Sequence, residues 1–253
     1  MARQKLGQHF LISGSILERI AAAACPERVP LVIEIGPGRG ALTEKLLKRA
    51  DKVLAVELDP DLAEHLRSRF ADDGRLEVVS ADVLKTDLAA FGRAPVAGNL
   101  PYYITSPIVE QVLRLSPPRA VFLVQKEVAD RITATPGRRG YGYLSVQVAA
   151  FAKARTLFGV PPGAFQPPPK VDSAVVLLEP LPSPVVEDLD AFLRFVGRCF
   201  QHKRKTLRNN LAEGLGKDVV GSWPEAGMRA EQIPLEGFIR MYRRLKPVPE
   251  PAL

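Results

Sequence analysis

The chain has 253 residues, 46% of them hydrophobic and 25% charged, with a formal net charge of +7. That is enough apolar material for one large domain with a smaller companion, and it excludes a disordered or fibrous chain. No apolar run approaches the length of a membrane span, and the only two cysteines, Cys25 and Cys199, stand far apart in apolar stretches, so a membrane partner, a disulfide framework and a metal site are not expected. The positive balance leans toward a polyanionic partner. No apolar segment follows the basic N-terminus, so no secretory leader is expected and the cytoplasm is the expected compartment.

The stretch Lys5 to Leu11 is too short for a helix, yet Phe10, Leu11 and Ile12 are more apolar than a free tail needs. Ser13 is placed to cap a helix whose apolar residues, Ile16, Leu17, Ile20 and Ala24, recur at helical spacing. Leu31 to Ile35 is nearly continuous in apolar residues, as a buried parallel strand is, and it runs into Gly36-Pro37-Gly38-Arg39-Gly40 and a helical pattern from Ala41. A strand, a glycine loop and a helix together suit a nucleotide, because glycines let the backbone approach a ligand at a helix N-terminus. The G-x-G-x-G spacing departs from the dinucleotide pattern G-x-G-x-x-G. The next strand, Val53 to Val56, ends in Glu57, placed to accept from ribose hydroxyls. A helix from Pro60 leads to the strand Leu76 to Val79, after which Asp82 stands as another strand-tip acid, suited to accept from an adenine amino group.

Asn99-Leu100-Pro101-Tyr102 follows the apolar stretch Pro95 to Gly98. The Asn99 carbonyl can accept one N–H of a planar amine. Pro101 biases Leu100 to an extended backbone and stiffens the turn, and Tyr102 offers a flat face for stacking. Taken alone, these four residues read as a proline turn closing a strand. Four strand ends in succession that carry polar groups (Glu34 with Gly36, Glu57, Asp82 and Asn99) are harder to dismiss, since ligands bind at that edge of an open α/β sheet.

A helix over Thr105 to Leu115 and a strand over Val121 to Val124 follow. Arg131 to Tyr143 interleaves basic and aromatic residues, which suits either a surface loop or single-stranded nucleic acid. A helix from Leu144 to Phe151 and a strand through Thr156 to Phe158 lead to the proline-dense stretch 161–173. That density forbids helix and central strand, and a stiff loop there could present Phe165 as the wall of a stacking pocket. Val175 to Leu178 supplies a last strand, Pro180, Pro182 and Pro184 make a linker, and the remainder is helical. Lys203, Arg204, Lys205 and Arg208 cluster on one of those helices, with Leu207 and Leu211 facing inward, and suggest phosphate contacts.

Taken together, these motifs resemble the rRNA adenine dimethyltransferases, and more closely their small-subunit branch. The resemblance rests on Gly7-Gln8-His9-Phe10-Leu11, Glu34-Ile35-Gly36-Pro37-Gly38, Val56-Glu57-Leu58-Asp59, Asp82, Asn99 to Tyr102, Phe165 to Ser173 and Lys205-Thr206-Leu207-Arg208-Asn209-Asn210, in family order along nearly the whole chain. It implies an α/β fold, a Rossmann-like sheet for S-adenosylmethionine (SAM) over residues 1–180, and a small helical RNA-binding domain over 181–253. It implies that His9, Leu11, Gly36, Glu57, Asp82 and Asn99 line the SAM site, and that Asn99, Leu100, Pro101, Tyr102 and Phe165 grip the target adenine. The implied substrate is small-subunit rRNA in an immature ribosomal subunit, dimethylated on two adjacent adenosines near its 3′ end by a monomeric enzyme. His9, His65 and His202 stand in no triad-like context, and no general base is expected. The alternatives are a nicotinamide-dependent oxidoreductase, which the glycine spacing and the lack of a Tyr-x-x-x-Lys arrangement disfavour, and an RNA-binding assembly or transcription factor built on a methyltransferase that has lost its activity, which the intact Asn99-Leu100-Pro101-Tyr102 disfavours.

Overall fold

The computed structural model describes residues 9–245. Gly7 and Gln8 of the N-terminal motif therefore lie outside the described residues. The elements of the first half are β1 (Phe10–Leu11), α1 (Gly14–Ala24), β2 (Val29–Ile35), α2 (Ala41–Leu46), β3 (Ala50–Glu57), α3 (Pro60–Arg69), β4 (Leu76–Ser80), β5 (Val96–Asn99), α4 (Thr105–Leu115) and β6 (Ala120–Gln125). They continue with α5 (Lys126–Ile132), α6 (Tyr143–Phe151), β7 (Ala152–Val160), β8 (Phe165–Gln166), β9 (Ser173–Pro180), α7 (Leu189–Cys199), α8 (Leu207–Leu215), α9 (Lys217–Gly221) and α10 (Leu235–Leu245).

The α/β expectation holds. Seven strands form one sheet in the order β4-β3-β2-β5-β6-β9-β7. The pairs β4–β3, β3–β2, β2–β5 and β5–β6 are parallel, and β9 runs antiparallel to β6. The central strands are buried on both faces, which explains their unbroken apolar runs. The chain leaves β2 toward β3 on one side and returns through β5 on the other, so β2 and β5 bound a switch point at their carboxyl ends. There the strands come close: in the register Ile35 to Gly98, a Cβ on Gly98 would sit 2.4 Å from the Ile35 carbonyl oxygen. Only glycine fits without shifting backbone. Gly98→Ala is accordingly expected to lower stability by about 1–3 kcal/mol, as an overpacked core does. An unchanged midpoint in chemical denaturation would refute that.

One reading of local structure changes. Ser13 stands at the N-cap of α1, but its hydroxyl meets Ser15 Oγ at 3.3 Å instead of capping the helix. The proline-dense stretch supplies no strand to the middle of the sheet, only a two-residue pair apart from it: β8 pairs antiparallel with β1, Leu11 opposite Phe165 and Phe10 opposite Gln166. A two-residue edge pair avoids the prolines on either side.

The chain divides into two compact units, Met1–Ala129 with Lys153–Pro180, and Asp130–Ala152 with Leu181–Leu253. The first holds the sheet and a core built from α1, α2 and the strand face beneath them, including Ile20, Leu46, Val121 and Val175. The expected boundary at residue 180 misplaced Asp130–Ala152. The reason is packing: Tyr141, Val146 and Ala150 belong to the helical core with Phe192, Val196, Leu211, Phe238 and Tyr242. Tyr141 is buried there and its hydroxyl donates to the Ile233 carbonyl at 2.7 Å, so it offers no open face to a base. Among the described residues, no helix is long and apolar enough to cross a membrane.

Candidate active site

A cavity of about 560 Å³ opens at the carboxyl ends of β2, β3 and β5, and His9, Leu11, Gly36, Glu57, Asp82, Asn99, Leu100, Pro101 and Tyr102 all line it. The sheet brings the tips of β2, β3, β4 and β5 together, and the separate β1–β8 pair adds His9 and Leu11.

On the loop side, Gly36 takes a φ of +68°, and a Cβ there would meet the Asn99 carbonyl oxygen at 3.5 Å. A side chain would be strained here by the backbone conformation alone, since the contact itself is an ordinary one. Glu57 is buried at the tip of β3 and organises the loop, accepting from Gly38 N–H through Oε2 and Asp59 N–H through Oε1, each at 3.0 Å. Burial pushes its carboxyl up, and the Asp59 and Gly38 donors pull it back. Each oxygen keeps a lone pair for a further donor. Glu34, also buried and lining the cavity, accepts from Thr43 Oγ1 at 2.6 Å. Burial raises its carboxyl to about 8 against the pull of Thr43, and the Glu57 carboxylate adds to the rise. Asp82 accepts from Leu84 N–H through Oδ1 at 3.0 Å, and its second oxygen lies 4.0 Å from Lys85 Nζ.

The opposite wall is the turn after β5. Leu100 N–H donates to the Leu123 carbonyl at 3.0 Å, which ties the turn to β6. Asn99 Nδ2 donates to the His9 carbonyl at 3.0 Å. This fixes the amide's sense, because a carbonyl can only accept, and leaves Oδ1 as the free acceptor. Among the described residues neither Asn99 Oδ1 nor the Leu100 carbonyl receives a hydrogen bond. Two consecutive acceptors therefore stand unpaired on the cavity wall, and a primary amine has two hydrogens to give. The Tyr102 hydroxyl meets Ser173 Oγ at 3.0 Å, and its ring stacks on His9 with centroids 5.8 Å apart at 27°. His9 in turn meets the Pro167 carbonyl through Nδ1 at 2.8 Å. These contacts lock the Tyr102 ring in place.

Phe165 departs from expectation. It is 3% exposed, absent from the cavity lining, and packed in the core with Leu11, Val160 and Ala164. Its strand pairing with Leu11 carries the aromatic inward, behind the wall it was expected to face.

In the second unit, Lys203, Arg204, Lys205 and Arg208 are all exposed, but the first three occupy a turn before α8 and only Arg208 is helical. Leu207 and Leu211 face inward as expected. The turn is held by Asn210, a residue that sequence reasoning left unassigned. It accepts from His202 N–H at 3.1 Å and donates to the carbonyls of Cys199 at 2.7 Å and His202 at 3.2 Å. Its spacing with Leu207 and Leu211 was a legible sign that it points inward. Ser173 and Thr43, which hold Tyr102 and Glu34, gave no such sign.

Comparison with known proteins gives the chain's relatives. The chain is 42% identical to a ribosomal RNA small subunit methyltransferase A of Acidobacterium capsulatum, over 96% of this chain and 91% of that protein. It is 43% identical to the protein of the same name from Bordetella petrii, over 95% and 94%. Among solved structures, a dimethyladenosine transferase from Plasmodium falciparum superposes with a TM-score of 0.81 at 27% identity, covering 93% of this chain and 97% of that one. The 23S rRNA methyltransferase ErmE superposes with a TM-score of 0.71 at 30% identity, covering 93% and 99%. Residues 1–246 match the family described as ribosomal RNA adenine dimethylase, and it is to this family that the chain belongs.

Proposed function

We propose that the protein transfers methyl groups from SAM to the exocyclic amine of adenosines in small-subunit rRNA, placing two on each of two adjacent adenosines near the 3′ end. It does so as a cytoplasmic monomer acting on immature small ribosomal subunits. The observation that carries this reading is the pair of unpaired acceptors, Asn99 Oδ1 and the Leu100 carbonyl. An adenine amine is a poor nucleophile because its lone pair is delocalised into the ring. Accepting both of its hydrogens favours a pyramidal nitrogen, and the rigid turn aims that nitrogen into the cavity in near-attack geometry. No side chain need remove a proton before the methyl is transferred. Tyr102 gives the extruded base a face to stack on, offsetting the stacking it leaves behind.

The residues present fit SAM, which supplies an electrophilic methyl when bound. Gly36 and Gly38 bring backbone close, Glu57 is placed for ribose hydroxyls, Asp82 for an adenine amine, and His9 and Leu11 close the N-terminal side. In this reading Phe165 acts from behind, holding β1 and hence the His9 carbonyl to which Asn99 is bonded. The exposed Lys203, Arg204, Lys205 and Arg208 serve rRNA phosphates.

The test is to incubate undermethylated small subunits with labelled SAM and analyse the nucleosides by mass spectrometry. Labelled N6,N6-dimethyladenosine is expected, and label absent from adenosine refutes the proposal. A second measurement addresses the cofactor. Glu57→Ala should weaken SAM binding by about 1.5–3 kcal/mol, the value of a hydrogen bond to a charged group. Because Glu57 also holds Gly38 and Asp59, Glu57→Gln is the control that keeps one acceptor. Unchanged affinity in both variants by calorimetry removes Glu57 from the site.

A further inference from the structure

The turn after β5 carries two consecutive phenols, and among the described residues the first alone has side-chain partners. The turn itself is stiff. The Pro101 carbonyl accepts from Ile104 N–H at 3.2 Å and from Thr105 Oγ1 at 3.0 Å, and Leu100 N–H is tied to Leu123. Tyr102 is engaged by Ser173 and His9. Tyr103 is 60% exposed, it lines the cavity at its open edge, and among the described residues it makes no hydrogen bond and no ring contact.

An exposed aromatic alone means little, since single apolar side chains are common on protein surfaces. Position gives this one significance. It is held on a turn fixed at both ends, one residue beyond the aromatic assigned to the target base, at the mouth through which that base must pass. Drawing a base out of an RNA strand leaves the nucleotides beside it without a stacking partner. An aromatic at the mouth replaces that partner whatever base is there, because every base has a flat face. We propose that Tyr103 is the stacking platform for the nucleotide flanking the methylated adenosine, holding the strand at the cavity edge while the target lies inside. The proposal rests on the adenosine-methylation reading above.

The test pairs Tyr103→Ala and Tyr103→Phe with small subunits reconstituted around a synthetic target segment, either intact or abasic at one or the other neighbour of the target adenosine. On intact RNA, Tyr103→Ala should lower kcat/KM about tenfold or more, chiefly through KM, and Tyr103→Phe should restore it, because the ring and not the hydroxyl does the work. An abasic site at one neighbour should cost the wild-type protein a similar factor and cost Tyr103→Ala little more. Near-wild-type kinetics of Tyr103→Ala, failure of Tyr103→Phe to restore activity, or losses that multiply at both neighbours overturn the proposal. A wild-type protein that labels no adenosine on intact RNA instead overturns the reading beneath it, so the two failures are distinct.

Discussion

Asn99→Ala is expected to lower the turnover of methyl transfer by about 100- to 1,000-fold, the scale seen when one oriented hydrogen-bonding group is removed from a reacting centre. Affinity for the RNA should change little, because phosphate contacts sustain it. A loss in turnover without a loss in affinity marks an interaction made mainly in the transition state. Asn99→Asp separates the two jobs of the side chain. A carboxylate can still accept from the amine, but it cannot donate to the His9 carbonyl, 3.0 Å away in the native protein. Its activity should therefore fall between that of Asn99→Ala and the wild type. If both variants bind SAM, fold normally and methylate rRNA at the wild-type rate, Asn99 is only a turn residue.

Neutralising Lys203, Arg204, Lys205 and Arg208 together should weaken RNA binding and flatten its dependence on salt. Each phosphate contact contributes roughly 0.7–0.9 to the slope of log affinity against log salt, so four lost contacts should remove about 3. SAM affinity, measured in parallel, should be unchanged. The structure sharpens the expectation, because three of these cations sit on a turn pinned by Asn210 and not along a helix face. A pinned turn presents its charges as a fixed group. An unaltered salt slope would reduce the cluster to a solvated surface.

The parts of the site legible in the sequence were those encoded locally. An apolar run followed by Gly36, Glu57, Asp82 or Asn99 announces a strand and what stands at its tip, and the sheet needs only to align the tips. The parts that were not legible depend on partners far along the chain. Nothing near Asn99 tells that its amide is held by a carbonyl 90 residues earlier. Nothing near Phe165 tells that pairing with Leu11 turns its ring into the core. The helix at Tyr143–Phe151 is apolar nearly all round, and such a helix signals burial without saying in which unit. A run of cations before Leu207 has no breaker of its own, so the sequence points to helix where Lys203 to Lys205 form a turn.

The bonds that hold the turn after β5 also set an order of assembly. Asn99 is tied back to His9, His9 forward to Pro167, and Tyr102 forward to Ser173. As the ribosome releases the chain from its N-terminus, the glycine loop and the strand tips emerge well before the second half of the clamp. Until residues 165–173 have been made, β1 lacks the strand it pairs with, His9 lacks its carbonyl partner and, last of all, Tyr102 lacks its hydroxyl partner, so the nascent protein carries the acceptors of the turn before the frame that holds them is complete.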